Sequence, residues 1–170
     1  RIARAGVPNA VIAKASWDAR LDARVARFRS EGGVTTLWRE SPDTGRAIIR
    51  TFRSGKALGL LIDQDTRAVD AGFVDFFGLP ASTPTGPARI AIRFRVPVVP
   101  LFIRRTPRGG YVLTIEEPVD PAGFTGPEGA LELTALLTSR IESWVRGDPR
   151  QWVWFHERWC RRPPGSPGLR

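Results

Sequence analysis

Ala57-Leu58-Gly59-Leu60-Leu61-Ile62-Asp63-Gln64-Asp65 is the stretch on which the fold turns. An unbroken apolar run of this length reads as a strand buried on both faces, the pattern of a parallel sheet rather than the alternation of a half-exposed strand. The strand expected over 57–62 stops on two carboxylates. In parallel sheets ligands gather off the carboxyl ends of the strands, which makes Asp63 and Asp65 candidate functional residues by position alone. Carboxylates at i and i+2 can bind a divalent cation, orient a basic partner or tune each other's titration. The same tripeptide also makes an ordinary turn in which Asp caps backbone amides.

Toward the N-terminus, Asn9–Ala13 is a short apolar strand candidate, and Ser16 and Asp18 can cap a helix with Leu21, Val25 and Phe28 on one face. Gly32-Gly33 stops that helix, and Val34–Trp38 is β-branched and aromatic, as strands are. Ser41-Pro42 is expected to start a second helix, with Ile48, Ile49 and Phe52 inward and Gly55 as its stop.

Toward the C-terminus, residues 65–83 read as a Gly/Pro-rich loop. Its aromatic stretch Gly72-Phe73-Val74-Asp75-Phe76-Phe77-Gly78 is suited either to covering an apolar ligand or to plugging a sheet edge. Residues 85–95 read as a helix with Ile90, Ala91 and Phe94 inward, and 98–103 as an apolar strand. Gly109-Gly110 turns the chain into an antiparallel neighbour over 111–116. Thr125 and Glu128 have capping-box spacing before a last long helix striped by Leu133, Leu137, Ile141 and Trp144. Strands alternating with helices of this length predict an α/β fold with a mainly parallel central sheet flanked by helices. One domain is expected over 1–160, followed by a mobile Pro/Gly/Arg-rich tail over 161–170.

The 170 residues are 42% hydrophobic and 25% charged, a balance that supports a packed core. The formal charge is +9, and of the 26 lysine and arginine residues all but Lys14 and Lys56 are arginine. Such a surface favours nucleic acid, anionic lipid headgroups or an acidic protein, without choosing among them. Cys160 is the single cysteine, which rules out an internal disulfide and a metal site built on cysteines. The longest apolar run, 96–103, is far short of the ~20 residues that span a bilayer. The chain holds no methionine and begins at Arg1, so a further segment, with any membrane anchor, is expected upstream. No phosphate loop, dinucleotide-binding glycine motif or G-x-S-x-G elbow occurs.

His156, the only histidine, lies in Gln151-Trp152-Val153-Trp154-Phe155-His156-Glu157-Arg158-Trp159. A lone histidine can act as a general base, but among four bulky aromatics a packing or hydrogen-bonding role is the plainer expectation. Those aromatics, with Arg158, Arg161 and Arg162, suit RNA stacking, a membrane interface, or a C-terminal cap packed on the sheet.

Taken in order, these segments resemble the bacterial lipid A biosynthesis acyltransferases, the lauroyl/myristoyl branch of the lysophospholipid acyltransferase superfamily. The likeness runs from about Pro8 to Pro163: Val11-Ile12-Ala13-Lys14, Asp63-Gln64-Asp65, Phe73-Val74-Asp75-Phe76-Phe77-Gly78, Thr83-Pro84-Thr85-Gly86, Val96-Pro97-Val98-Val99-Pro100, the aromatic run around His156, and Arg162-Pro163. The resemblance implies transfer of a fatty acyl group from acyl carrier protein to a hydroxyl of a lipid A precursor or related glycolipid, at the cytoplasmic face of the inner membrane. In that reaction the histidine of an H-x-x-x-x-[DE] motif is the general base, and no covalent acyl-enzyme, cofactor or metal takes part.

Carried over by position, Lys14 stands where the family usually has a phosphate-contacting arginine, and Asp63 and Asp65 stand in the motif beside the acceptor. Gln64, Thr83, Thr85 and Arg39 are further acceptor-binding candidates. His156 departs from the base motif, because Arg161 occupies the fifth position after it. The base is therefore expected upstream of residue 1, and this chain alone is expected to be inactive. Two rival readings fit parts of the sequence. One is a metal-dependent glycosyltransferase using Asp63-Gln64-Asp65, which the other ordered motifs oppose. The other is a basic nucleic-acid-binding module, which lacks its usual signatures, so nucleic acid is not an expected partner.

Overall fold

The computed structural model describes residues 2–65 and 69–166, which fall into two compact units divided between Leu61 and Ile62.

The first unit is built from β1 (Asn9–Ala13), α1 (Ala19–Glu31), β2 (Val34–Trp38), α2 (Thr44–Arg53) and β3 (Ala57–Gly59). The strands form a parallel sheet in the order β2-β1-β3, with Ala13 opposite Trp38 and Val11 opposite Gly59. Asp18 caps α1 by accepting from the amides of Arg20 and Leu21 at 2.8 and 3.4 Å, as its position predicts. The second helix begins at Thr44 rather than at Ser41-Pro42. The Thr44 hydroxyl lies 2.6 Å from the Trp38 carbonyl and 2.8 Å from the Ser41 carbonyl, so the residues between form a turn. The strand expected over 57–62 ends at Gly59, since its pairing with β1 runs out there and Leu61 is 83% exposed.

The second unit holds β4 (Ala71–Phe76), β5 (Leu79–Pro84), α3 (Gly86–Phe94), β6 (Leu101–Arg105), β7 (Tyr111–Ile115) and α4 (Gly129–Gly147). Most of the stretch 65–83 is not a loop, because β4 and β5 pair as an antiparallel hairpin. The alternation of exposed Phe73 and Asp75 with buried Val74 and Phe76 is a strand period that the glycines and prolines mask. Phe77 and Gly78 both have positive φ, 58° and 77°, as a two-residue hairpin turn of the primed type requires. Residues 66–68, in the same stretch, lie outside the described residues.

The β6–β7 hairpin forms as the Gly109-Gly110 turn predicts. The strand expected over 98–103 is shifted to Leu101–Arg105, while Val98 makes an isolated antiparallel bridge with Val119. The Thr125–Glu128 capping box does not form, as Glu128 makes no side-chain capping bond. Instead Gly129 starts α4 in a close approach: a Cβ there would lie 2.7 Å from the Phe124 carbonyl carbon.

The core gathers Ala88 and Ala91 of α3, Val119, and Leu133 and Leu137 of α4, with Ile62, Val98 and Phe124 packed against it. The molecule is thus mixed α/β, as expected. A single mainly parallel sheet is not what the described residues form: parallel pairing is confined to β2-β1-β3, and the two hairpins are separate antiparallel sheets. Among the described residues no helix is long and apolar enough to cross a membrane.

Candidate functional site

Ile62 packs on the α3–α4 core, which fixes the point from which the Asp63-Gln64-Asp65 turn departs. The turn is then gripped by residues 156–161. His156 Nε2 lies 3.3 Å from the Asp63 carbonyl oxygen. The Arg161 amide donates to Asp65 Oδ2 at 3.1 Å and its Nε donates to Asp65 Oδ1 at 2.6 Å. Both oxygens of Asp65 are therefore engaged, and its side chain is 7% exposed. Asp63 differs: its Oδ1 is buried and has no hydrogen-bond partner among the described residues. A buried carboxylate oxygen without a donor carries a desolvation penalty, which sets Asp63 apart from Asp65.

Residues 156–161 owe their position to the hairpin. Phe76, 1% exposed, is stacked on Trp159 and meets Trp152 edge to face, with ring centroids 5.7 and 5.5 Å away. The Trp159 indole N–H donates to the Phe76 carbonyl at 3.3 Å. Arg158, 1% exposed, donates from its two terminal nitrogens to the Ser82 carbonyl and to Thr83 Oγ1, each at 2.6 Å. Burial pushes the Arg158 guanidinium below the usual arginine range, and the charges of Asp65 and then Asp63 oppose that shift. The aromatic run is thus chiefly a cap packed on the hairpin, although Val153, Trp154 and Phe155 remain 58%, 50% and 99% exposed. His156 sits edge-on to Trp152, at 4.8 Å between centroids, which suits a fixed ring better than a mobile base.

The other predicted residues fall into two groups. Thr83 and Thr85 are buried, and their hydroxyls point inward: Thr83 Oγ1 donates to the Ala81 carbonyl at 3.1 Å while accepting from Arg158, and Thr85 Oγ1 lies 3.5 Å from the Asp70 carbonyl. Gln64 is exposed at the tip of the turn. In the first unit, Lys14 and Arg39 follow directly on the paired residues Ala13 and Trp38, so they neighbour each other at the carboxyl edge of the parallel sheet. Lys14 is exposed; the Arg39 amide donates to the Ala13 carbonyl at 2.9 Å, and its guanidinium lies 3.2 Å from Glu40. The Glu40 carboxyl also accepts from the Ala15 amide, which holds it below the usual carboxylate range. The grip of Arg158 on Ser82 was not foreseen; the signal was an arginine inside an aromatic run, which points to a surface as readily as to an interior.

The bacterial lipid A biosynthesis acyltransferase family model matches residues 2–161, and the chain belongs to that family. It is 29% identical over 125 residues to a lipid A biosynthesis lauroyltransferase of Escherichia coli (strain K12), covering 72% of this chain and 40% of that protein. A lipid A biosynthesis acyltransferase of Haemophilus influenzae is 26% identical over 123 residues, covering 69% and 38%. A palmitoleoyltransferase of the same E. coli strain is 25% identical over 126 residues, covering 73% and 40%. The chain therefore spans about 40% of the length of the curated relatives it matches.

Proposed function

We propose that the full-length protein transfers a fatty acyl group from acyl carrier protein to a hydroxyl of a lipid A precursor or related glycolipid, at the cytoplasmic face of the inner membrane. In this reading the present chain supplies the acceptor side of the site. The observation that carries the reading is the contrast within the carboxylate turn: Asp65 is sealed by Arg161, while Asp63 keeps a buried oxygen with no partner among the described residues. Such an oxygen can accept from the acceptor and fix its orientation. Lys14 and Arg39 serve the acceptor's phosphates, with Lys14 acting as a point charge rather than a fork. Gln64 adds a polar contact at the tip of the turn, whereas Thr83 and Thr85 are buried, Thr83 meeting Arg158 and Thr85 the Asp70 carbonyl.

The chemistry needs a base to take the hydroxyl proton as the oxygen attacks the thioester carbonyl; the C–S bond then breaks and the thiol leaves. That base is not among this chain's residues, because His156 is its only histidine and lacks the carboxylate five positions on. The chain alone is therefore expected to show no turnover. The metal-dependent glycosyltransferase reading is weaker, since Asp65 spends both oxygens on Arg161.

The test is a steady-state assay of the full-length protein with acyl carrier protein thioester and lipid A precursor. Asp63→Asn is expected to lower kcat by about 100-fold, the scale of a lost orienting contact. Lys14→Ala is expected to raise the acceptor KM about tenfold, the scale of one charge-assisted contact, with kcat little changed. Unaltered kcat in Asp63→Asn would remove the aspartate from the acceptor site, and absence of transfer by the wild-type protein would reject the reading as a whole.

A further inference from the structure

An antiparallel sheet with one face packed and one in solvent ordinarily keeps its solvent face polar. The β6–β7 hairpin breaks that rule. Its register sets Leu101 beside Ile115, Ile103 beside Leu113 and Arg105 beside Tyr111, and cross-strand partners share a face. On the other face Phe102 stacks on Trp144 of α4, with ring centroids 4.6 Å apart, so that face is the packed one. The four aliphatic side chains and the tyrosine of the outer face are 40–64% exposed. An apolar patch of this kind marks a binding surface, and the chemistry at its border decides for what.

That border is cationic and aromatic. Arg105 lies in the face itself, and Arg104 and Arg108 stand exposed beside it toward the turn; none of the three forms an ion pair among the described residues. The side-chain amide of Gln151 accepts from the Arg105 N–H and donates to the Arg105 carbonyl, each at 3.0 Å, which ties the loop bearing exposed Val153, Trp154 and Phe155 to the same end of the hairpin. Asp148, close to that tie in the chain, is already paired with Arg150. Tyrosine, tryptophan and arginine at one end of an aliphatic surface are the composition of a lipid–water interface. A second copy would bring another net charge of +9 to this surface, whereas an anionic bilayer complements it. We propose that the outer face of β6–β7, with the 152–155 loop at its tip, docks on an anionic lipid bilayer: the aliphatic side chains enter the boundary of the acyl region, and Arg105 and Arg108 meet headgroup phosphates. This goes beyond the acyl-transfer reading, which assigns no residue to the membrane, and it holds or fails independently of that reading.

The experiment uses the full-length protein with its cysteines, Cys160 included, replaced by serine, and a nitroxide label on Ile103→Cys. Collisions of the label with oxygen, which concentrates in lipid, are compared with collisions with a water-soluble nickel chelate. In vesicles of phosphatidylethanolamine and phosphatidylglycerol, the oxygen-to-nickel ratio at position 103 is expected to exceed that at Ser139→Cys, an exposed site on α4, by about tenfold, since polar solutes are excluded from apolar surroundings. Ile115→Cys is expected to report the same as Ile103→Cys, and it carries the test should the first variant fail to fold. Nickel access at 103 equal to that at 139 would leave the face in water and overturn the proposal. Exclusion of both probes from 103 would overturn it too, because another part of the protein or a second copy then covers the face.

The charge has its own arm. With Arg105→Gln and Arg108→Gln together, the ratio of lipid-bound to free label at position 103 is expected to fall about 20-fold in the anionic vesicles, roughly fivefold for each charge removed. In vesicles of phosphatidylcholine alone the unaltered arginines are expected to lose at least as much. A ratio unchanged by the substitutions or by the neutral lipid would overturn the assignment of an anionic bilayer. Acyl transfer is assayed on the same preparations: transfer without lipid contact at 103 strikes this proposal alone, and lipid contact without transfer strikes the acyl-transfer reading alone.

Discussion

Along α1, Leu21 and Phe28 stand 50% and 76% exposed, whereas along α4 Leu133 and Leu137 are 0% and 7% exposed. Both helices carry an apolar stripe at helical spacing. The difference lies in what surrounds them. α4 packs on α3 and β4, so its stripe closes a core, while α1 meets β2 and buries none of its own side chains. α1 is held by its Asp18 cap and by pairs such as Arg27–Glu31, which is exposed and worth little on its own. Periodicity states which residues share a face, and only packing states whether the face is covered.

Substitutions sharpen this contrast. The largest effect is expected for Leu133→Ala, which empties a fully enclosed site and should destabilise by about 3 kcal/mol in urea unfolding. A loss below about 1 kcal/mol would mean that the α3–α4 core is not where stability resides. Gly129→Ala comes next, at about 2 kcal/mol, because the new methyl group would press on the Phe124 backbone, which cannot swing aside as a side chain would. Thermal unfolding measures it, and a neutral result would show that α4 can begin elsewhere.

Glu142→Gln should cost about 1 kcal/mol at neutral pH, through its bonds to the Phe77 amide at 2.7 Å and to Arg146 at 2.8 Å. The Phe77 amide and then Arg146 hold the Glu142 carboxyl below its ordinary value of 4.5. Its contribution is therefore full above 4.5 and lost as pH falls through the lower folded value. The gap between wild type and Glu142→Gln should accordingly close on acidification; a gap that stays constant would contradict a charge-assisted bond. Smallest of all, Phe28→Ala should change stability by less than about 0.5 kcal/mol, as expected for an exposed position. A loss of 2 kcal/mol or more would show that the α1 stripe is covered after all.

Much of the fold is legible in local chemistry. Asp18 caps where a capping residue belongs, β1 and β2 coincide with their apolar and β-branched runs, and Gly109-Gly110 turns a hairpin. The β4–β5 hairpin was obscured because Pro80 and Pro84 discourage a strand reading, although an edge strand tolerates proline. The run 57–62 overstates its strand, since continuous hydrophobicity reports the company a residue could keep rather than a partner's register. Asp63 and Asp65 were legible by their place after that run, but their unequal partnering was not. It depends on residues more than 90 positions further along, and no local pattern encodes which carboxylate Arg161 meets.

That separation has a consequence for how the protein is made. Asp65 and Arg161 are 96 residues apart in the chain, and Ser82 and Arg158 are 76 apart. Synthesis delivers the near partners long before the distant ones. A nascent chain extended through α4 already possesses both hairpins and the helical core, yet its carboxylate turn has nothing to grip it. Long-range closure of this kind is also the slow part of folding. Maturation of the site is thus coupled to the emergence of residues 156–161 from the ribosome, and a stop codon shortly after Gly147 would yield a molecule that folds its core and never assembles its turn.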